Sequence, residues 1–455
     1  GQVGTAMTGR EAFQEVDYRA MFGPLAKWTV EIDRIGRLPE LVARAWTTAT
    51  TGRPGPVVVA LPEDMLSARS DVAPLTRAAR IAPAAPDPDA VAEARRMLGQ
   101  AARPLILIAG ANWSGAGRAA LRAFAEGSDI PVVAAFRYQD KIDNNSKVFA
   151  GEAGVGMPPH VRALMSGADV ILALNTRFGE NVTGGYTLLD VPVPGQRVIH
   201  VHASDREIGK VYQPALGIHA HHDAFVRAVS PISGGWAGWR AEARAGYEAS
   251  LDVPPQPSAV DMGAVIAHLQ DVLPGDVILT NGAGNFSIWS NKLFRYAEDA
   301  RLLAPQSGAM GYGLPAAIAA KIAYPDRTVI CVAGDGDLQM TSQELATAAQ
   351  EGACPVILVV NNGTYGTIRA HQERHYPDRV SGTALANPDF AALARAHGFH
   401  AERIAATADF AAAFARALAS PTGGLLDLDV SAEALTPRQS LSQIRQAGRD
   451  AAKTA

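Results

Sequence analysis

The chain has 455 residues, a formal net charge of −4 and 19% charged residues. At about 100–200 residues per domain, this length predicts roughly three domains, and the charge excludes a basic field that would attract nucleic acid or an anionic membrane surface. Cys331 and Cys354 lie in or beside apolar runs, which indicates buried side chains rather than disulfides or zinc ligands. No apolar stretch reaches the roughly 18 residues of a membrane span, and residues 1–27 lack a leader pattern. We therefore expect a cytoplasmic protein that binds neither nucleic acid nor membrane.

Apolar β-branched runs alternate with alanine-rich helical patterns along nearly the whole chain. This alternation predicts an α/β protein with parallel sheets and crossover helices. Proline-rich stretches at residues 82–88 and 253–259 are typical of linkers. We therefore predict three segments, at residues 1–80, 88–229 and 260–440.

The first two segments differ in how complete a domain they can form. The first contains the buried-strand candidate Val57–Leu61 and is too short for a complete doubly wound domain, so an incomplete one is predicted. The middle segment lacks a Gly-x-Gly-x-x-Gly after its first strand, which argues against a nicotinamide dehydrogenase. It has enough strand candidates for a Rossmann-like layer, namely Leu105–Ile108, Val132–Phe136, Val170–Leu174 and Val198–Val201.

Two candidate buried strands of the third segment each end in a polar turn that contains glycine. Thr328–Ala333 runs into a Gly-Asp-Gly motif, and Val356–Val360 runs into an Asn-Asn-Gly motif. Between them, Thr341 and Glu344 have the spacing of a capping box, which predicts a helix that extends to about Gln350.

The strand–helix–strand order predicts a right-handed parallel crossover, so both strands should end at the same sheet edge. Asp335 of Gly-Asp-Gly and Asn362, which lies 27 positions later (362 − 335), should therefore converge there. A carboxylate and an amide oxygen are ligands that Mg²⁺ prefers, and the backbone carbonyl of Thr364 is the expected third ligand. Gly334 and Gly336 would let backbone N–H groups approach an anion closely. Either motif alone is more often an ordinary turn, so the prediction depends on the pair.

The pairing of Gly-Asp-Gly with Asn-Asn resembles the signature of thiamine-diphosphate-dependent enzymes, and further stretches are similar to acetolactate synthases. These stretches are residues 12–17, 52–57, 177–180, 281–285 and 307–317. The resemblance covers most of the chain. It implies three Rossmann-like parallel-sheet domains of the thiamine-diphosphate-binding fold, which are the carboxyl-terminal half of a pyrimidine-binding domain, a central domain and a diphosphate-binding domain.

This resemblance implies thiamine diphosphate as the cofactor, held through one Mg²⁺ by Asp335, Asn362 and Thr364. In the family, the residue that corresponds to Met310 wedges between the two rings of the cofactor. The central domain of acetolactate synthases carries a non-catalytic FAD, which makes FAD a further candidate cofactor. The implied cofactor-binding residues are Ala283, Gly284, Asn285, Gly308, Met310, Gly334, Asp335, Gly336, Asp337, Asn362, Thr364, Tyr365, Gly366 and Thr367.

The implied activity is that of a 2-oxo-acid carboligase or decarboxylase. A small 2-oxo acid loses carbon dioxide and leaves an enamine on C2 of the cofactor, which attacks a second carbonyl or is protonated. In this family each cofactor bridges two subunits. We therefore expect a homodimer or homotetramer with its site at the subunit interface.

Two features depart from the family. Its essential glutamate lies in the amino-terminal half of the pyrimidine domain, for which the chain has no counterpart, and Glu11 and Glu15 do not match its position. His371 stands where biosynthetic acetolactate synthases have a substrate-discriminating tryptophan, and it joins Gln14 and Met310 as a catalytic candidate. The alternatives that stay open are a simple 2-oxo-acid decarboxylase and a catalytically silent or truncated cofactor-binding or assembly module.

Overall fold

Three separate parallel sheets organise the protein, whose computed structural model describes residues 1–454. The sheets span residues 28–60, 104–219 and 278–429, with helices between their strands. The α/β class predicted from the alternation is confirmed. Within residues 1–454, no helix combines the length and the apolar character that a bilayer crossing needs.

The amino-terminal sheet has two parallel strands, paired over four residues. Its small core contains Val30, Ile32 and Leu41. Because a two-stranded sheet buries little apolar surface, large side chains such as Leu25 and Trp46 remain exposed. The elements are α1 (Tyr18–Phe22), β1 (Trp28–Glu31), α2 (Leu38–Thr50), β2 (Val57–Ala60) and α3 (Glu63–Ser67), with short 3₁₀ turns at Thr5–Met7 and Ile35–Arg37.

The middle segment forms a six-stranded parallel sheet whose central strands are buried on both faces, as expected where crossover helices cover both sides. The elements are α4 (Pro88–Gly99), β3 (Pro104–Ile108), α5 (Gly115–Ser128), β4 (Val132–Ala135), a 3₁₀ turn (Gln139–Lys141), β5 (Phe149–Ala153), α6 (Pro159–Gly167), β6 (Val170–Leu174), β7 (Arg197–His202), β8 (Leu216–His219), α7 (His222–Ala228) and α8 (Ala237–Leu251). The strand order is β5-β4-β3-β6-β7-β8. The side chains of Asp87 and Ser114 cap α4 and α5. The four strands predicted from the sequence correspond to β3, β4, β6 and β7.

The third segment forms a second six-stranded parallel sheet, with apolar clusters on both faces. The elements are α9 (Met262–Val272), β9 (Ile278–Asn281), α10 (Ser287–Leu293), β10 (Arg301–Leu303), α11 (Gly313–Ala323), β11 (Val329–Gly334), α12 (Asp335–Leu338), α13 (Glu344–Glu351), β12 (Val356–Asn361), α14 (Gly366–His375), α15 (Phe390–Ala396), β13 (His400–Ile404), α16 (Thr407–Ala419), β14 (Gly424–Asp429) and α17 (Leu441–Thr454). The strand order is β10-β9-β11-β12-β14-β13, so β11 and β12 are neighbours.

The helix between β11 and β12 begins differently from the sequence prediction. α13 begins at Glu344 and is preceded by Gln343, whose side chain makes no capping hydrogen bond. The hydroxyl of Thr341 instead donates to the carbonyl of Gly311 at 2.8 Å. The capping-box prediction is therefore wrong, because a distant loop engages the hydroxyl that would have capped the helix.

Candidate active site

The neighbouring strands β11 and β12 bring their carboxyl ends to one edge of the third sheet. They pair in parallel up to Gly334 and Val360. Asp335 follows the first strand directly and begins α12, whereas Asn362 follows the second. Both residues line the same cavity, which lies at the carboxyl edge where open α/β sheets bind ligands.

The carboxylate of Asp335 is 3% exposed and is held from several sides. Its Oδ1 accepts a hydrogen bond of 2.8 Å from the amide of Gly336, and its Oδ2 accepts one of 2.7 Å from the amide of Gly363. The side-chain amide of Asn387 also donates to Oδ2, at 2.8 Å. These three donors fix the carboxylate in one orientation at the cavity wall.

The donor set of this cavity fits a hard divalent cation. Asp335 is a buried carboxylate, and within residues 1–454 no lysine, arginine or histidine forms an ion pair with it. A buried charge is costly unless a countercharge or a metal neutralises it. Asn362 lines the same cavity, so its amide oxygen could supply a second hard ligand; this oxygen also accepts from the amide of Thr364 at 3.1 Å.

The cavity gathers most of the site residues that the sequence predicts. The described residues that line the cavity do not include Gly308, Gln14 or His371. Gly308 lies in the loop before Met310, Gln14 lies in the amino-terminal segment with a positive φ of 69°, and His371 is exposed on α14 with its ring 6.1 Å from that of His375. The predicted residues that do line the cavity are Ala283, Gly284, Asn285, Met310, Gly334, Asp335, Gly336, Asp337, Asn362, Thr364, Tyr365, Gly366 and Thr367.

Gly336 is required by a close approach at the cavity wall. A Cβ at this position would lie 2.5 Å from Cε1 of Tyr365. Any larger residue would therefore push the aromatic ring or open the turn that carries Asp335.

Asp337 is a second buried carboxylate at the same turn, with 2% exposure. Its Oδ1 accepts hydrogen bonds from the amides of Gly311, at 2.8 Å, and Ala283, at 3.1 Å. Burial raises the pKa of Asp337 to about 6, although both amides and the charge of Arg137 favour the ionised form. The two carboxylates of the turn therefore differ in their contacts: Asp335 faces the cavity together with Asn362, and Asp337 bonds the backbone of two loops.

Sequence reasoning missed several residues that shape the site. Phe286, Val360 and Ile368 also line the cavity. Phe286 could have been found, because it directly follows the predicted loop at residues 281–285. Asn387 carries no local signal, since it lies 52 positions from Asp335 along the chain.

Comparison with known protein families and proteins agrees with this geometry. Residues 282–428 match the C-terminal TPP binding domain of thiamine pyrophosphate enzymes, and residues 91–229 match their central domain. The acetolactate synthase large subunit of Parasynechococcus marenigrum (strain WH8102) is 30% identical over 446 residues, which are 94% of this chain and 71% of that protein. The acetolactate synthase isozyme 2 large subunit of Escherichia coli (strain K12) is 28% identical over 89% of this chain and 73% of that protein. The acetolactate synthase large subunit of Corynebacterium glutamicum is 30% identical over 89% of this chain and 67% of that protein.

Proposed function

Because the chain belongs to the acetolactate synthase family of thiamine-diphosphate-dependent enzymes, we propose that it decarboxylates a small 2-oxo acid and joins the remaining fragment to a second carbonyl compound. The observation that carries this proposal is the buried carboxylate of Asp335, which faces the same cavity as Asn362 and has no cationic side-chain partner within residues 1–454. A simple decarboxylase would use the same site without the second carbonyl compound.

We propose Asp335, Asn362 and the backbone carbonyl of Thr364 as the protein ligands of Mg²⁺. Oxygen ligands of this kind suit Mg²⁺, which commonly joins a carboxylate to the phosphates of a bound ligand. Gly366 and Thr367, the first residues of the ten-residue helix α14, line the same cavity, and helix amino termini favour anions. In this arrangement the metal would anchor and neutralise the diphosphate.

Thiamine diphosphate supplies the electron sink for loss of carbon dioxide, and the residues of the chain hold and orient it. Met310 lies in the loop before α11 and lines the same cavity as Asp335. An apolar side chain at that place would restrict the orientation of the cofactor rings. Phe286, Val360 and Ile368 add apolar wall to the same cavity and would limit the access of water.

We propose a homodimer or a dimer of dimers that covers the rim of this site. Ile368, which lines the cavity, is 52% exposed, and Tyr312 and Met340, which lie close to the lining residues Met310 and Asp337 along the chain, are 39% and 46% exposed. On α11, Ile322 is 54% exposed as well. Exposed apolar side chains mark an interaction surface where they form a contiguous patch. Sedimentation at low micromolar concentration tests the proposal, and a monomer that still turns over a 2-oxo acid would contradict a shared site.

We propose that the middle segment binds no FAD. The Oδ2 of Asp223 accepts a hydrogen bond of 3.1 Å from the amide of Ser114, directly before α5. Rossmann-type domains bind a pyrophosphate at this first helix amino terminus, so the pyrophosphate would meet a buried carboxylate here. The absorption spectrum of the purified protein tests this point, and flavin bound in equal amount to the chain would contradict it.

The proposed reaction is tested by a screen of small 2-oxo acids for release of carbon dioxide, with added thiamine diphosphate and Mg²⁺. Product analysis separates carboligation from simple decarboxylation. Asp335→Ala should abolish both cofactor retention and turnover, whereas Asp299→Ala, at a side chain that is 75% exposed, should change neither. Unaltered binding of the cofactor by Asp335→Ala in calorimetry would refute the metal assignment. A protein that binds the cofactor and releases no carbon dioxide from any 2-oxo acid would instead support a silent binding module.

A further inference from the structure

Arg137 is a charged residue of the middle segment whose side chain is buried against the third segment. It follows β4, is 5% exposed and has a φ of 65°, which is uncommon for a residue with a Cβ. Its Nη1 donates to the carbonyl of Pro305, and its Nη2 donates to the carbonyl of Gly282 at 3.3 Å. One guanidinium fork therefore holds two backbone carbonyls of the third segment, one after β9 and one after β10.

Those two carbonyls begin the two loops that border the candidate active site. The loop after Gly282 carries Ala283, Gly284 and Asn285, and the loop after Pro305 leads to Met310; all four of these loop residues line the cavity. A shift of either carbonyl would therefore move residues that face the cofactor.

Asp337 holds the same two loops from the opposite side. Its Oδ1 accepts from the amides of Gly311 and Ala283, and the packing is so close that a Cβ at Gly282 would collide with this carboxylate. Each loop is thus fixed at a carbonyl by Arg137 and at an amide by Asp337.

The position of Arg137 is itself well supported. Its backbone amide donates to Oε1 of Glu152 at 3.3 Å, and Oε2 of Glu152 forms an ion pair of 2.5 Å with Lys292. The guanidinium lies 4.7 Å from the centroid of the Phe136 ring. Burial of a cation is unfavourable unless hydrogen bonds and countercharges compensate. The two carbonyls and the charges of Glu152 and Asp337 favour the buried guanidinium, whereas its Nε has no hydrogen-bond partner.

We propose that Arg137 is a positioning residue for cofactor binding, which together with Asp337 fixes the two loops that present Met310 and residues 283–285 to thiamine diphosphate. The middle segment then takes part in forming the diphosphate site, although none of its residues lines the described cavity. This inference rests on the proposed function, because it assigns the cavity to thiamine diphosphate.

Arg137→Gln and Arg137→Lys test the proposal, with Arg122→Gln as the matched control. Arg122 also reaches the third segment, through an ion pair of 3.1 Å with Glu298, and lies away from both loops. Two measurements are needed: the dissociation constant of thiamine diphosphate at saturating Mg²⁺, and hydrogen exchange at the amides of Ala283 and Gly311 in the cofactor-free protein.

We expect Arg137→Gln to weaken cofactor binding by about 10- to 100-fold, the loss that corresponds to hydrogen bonds made by a charged group, and to speed exchange at both amides. Arg137→Lys keeps the positive charge but loses the forked guanidinium. Its cofactor affinity and exchange rates should therefore lie between those of Arg137→Gln and the wild type. Unchanged exchange and binding in Arg137→Gln, or equal losses in Arg122→Gln, would overturn the proposal. If the wild type binds no thiamine diphosphate, the proposed function fails, while the exchange data still decide whether Arg137 holds the loops.

Discussion

The side-chain amide of Asn387 donates hydrogen bonds of 2.8 Å to both Oδ2 of Asp335 and Oδ1 of Asn361. The side-chain amide of Asn361 in turn donates to Oδ1 of Asp427 at 3.0 Å. A series of side-chain hydrogen bonds therefore connects Asp335, the proposed metal ligand, with Asp427 on β14 of the third sheet. Such outer partners orient a ligand and are often nearly as important as the ligand itself.

We predict that Asn387→Ala weakens the Mg²⁺-dependent binding of thiamine diphosphate by about 10- to 100-fold. The reason is that Asp335 loses one of the donors that aim its carboxylate. A titration of Mg²⁺ at fixed cofactor, followed by calorimetry, measures the effect. Asn145→Ala, at an exposed turn of the middle segment, is the control. Equal Mg²⁺ requirements for both variants would show that Asn387 does not orient Asp335.

Met310→Ala should reduce turnover far more than it reduces cofactor affinity. Met310 reaches the cavity with an apolar side chain, so its contribution is to orientation rather than to binding of the diphosphate. Met21→Ala, at a methionine of the amino-terminal segment that is 60% exposed, provides the comparison. Losses of similar size in turnover and affinity would indicate that Met310 merely fills space.

The sequence predicted the parts of this site that lie close together along the chain. Asp335 and Asn362 belong to one strand–helix–strand unit, so a known crossover geometry was enough to bring them together. Arg137 and Asn387 were not predicted, because they come from other parts of the chain, at 168 positions from Pro305 and 52 from Asp335. Thr341 was misread for a similar reason, since its hydroxyl bonds a loop that local spacing does not reveal.

The raised pKa of Asp337 predicts that the stability of the cofactor-free protein depends on pH. Burial raises its pKa from 3.8 to about 6, so between these values the folded state retains a proton that the unfolded state has released. Stability should therefore fall as the pH rises through this window, by up to about 3 kcal/mol. Asp337→Asn keeps the Oδ1 acceptor and removes the charge, so it should melt higher than the wild type at about pH 7.5 and nearly equally at about pH 4.

Melting temperatures of the cofactor-free wild type, Asp337→Asn and Asp299→Asn at both pH values measure this effect. Asp299 is an exposed aspartate of the same segment and should show no comparable difference. If Asp337→Asn lowers the melting temperature equally at both pH values, the carboxylate stabilises the loops in its charged form and the prediction is wrong.

Glu373 joins the two helices α14 and α17. It is fully buried, and its Oε1 accepts hydrogen bonds from Arg445, at 2.8 Å, and from Arg369, at 2.9 Å. The hydrogen bond from Arg445 is the main cause that lowers the pKa of Glu373 to about 2. The stability that the ionised Glu373 adds to the fold is therefore complete above its unfolded pKa of about 4.5, and it is lost as the pH falls towards 2. The carboxyl-terminal helix should stay docked at any pH above about 5.

Glu373→Gln should loosen α17 at neutral pH, because it leaves Arg369 and Arg445 without their carboxylate, while Arg449 still bonds both oxygens of Asp378. We expect a loss of about 1–3 kcal/mol, below the value for a fully buried pair, since the arginine side chains are 24% and 25% exposed. Hydrogen exchange along α17 measures the release, with Glu351→Gln on the exposed surface of α13 as the control. Because α14 begins at Gly366, which lines the cavity, cofactor affinity should fall together with the protection of α17. Loss of protection with unchanged affinity would mean that α17 does not support the site.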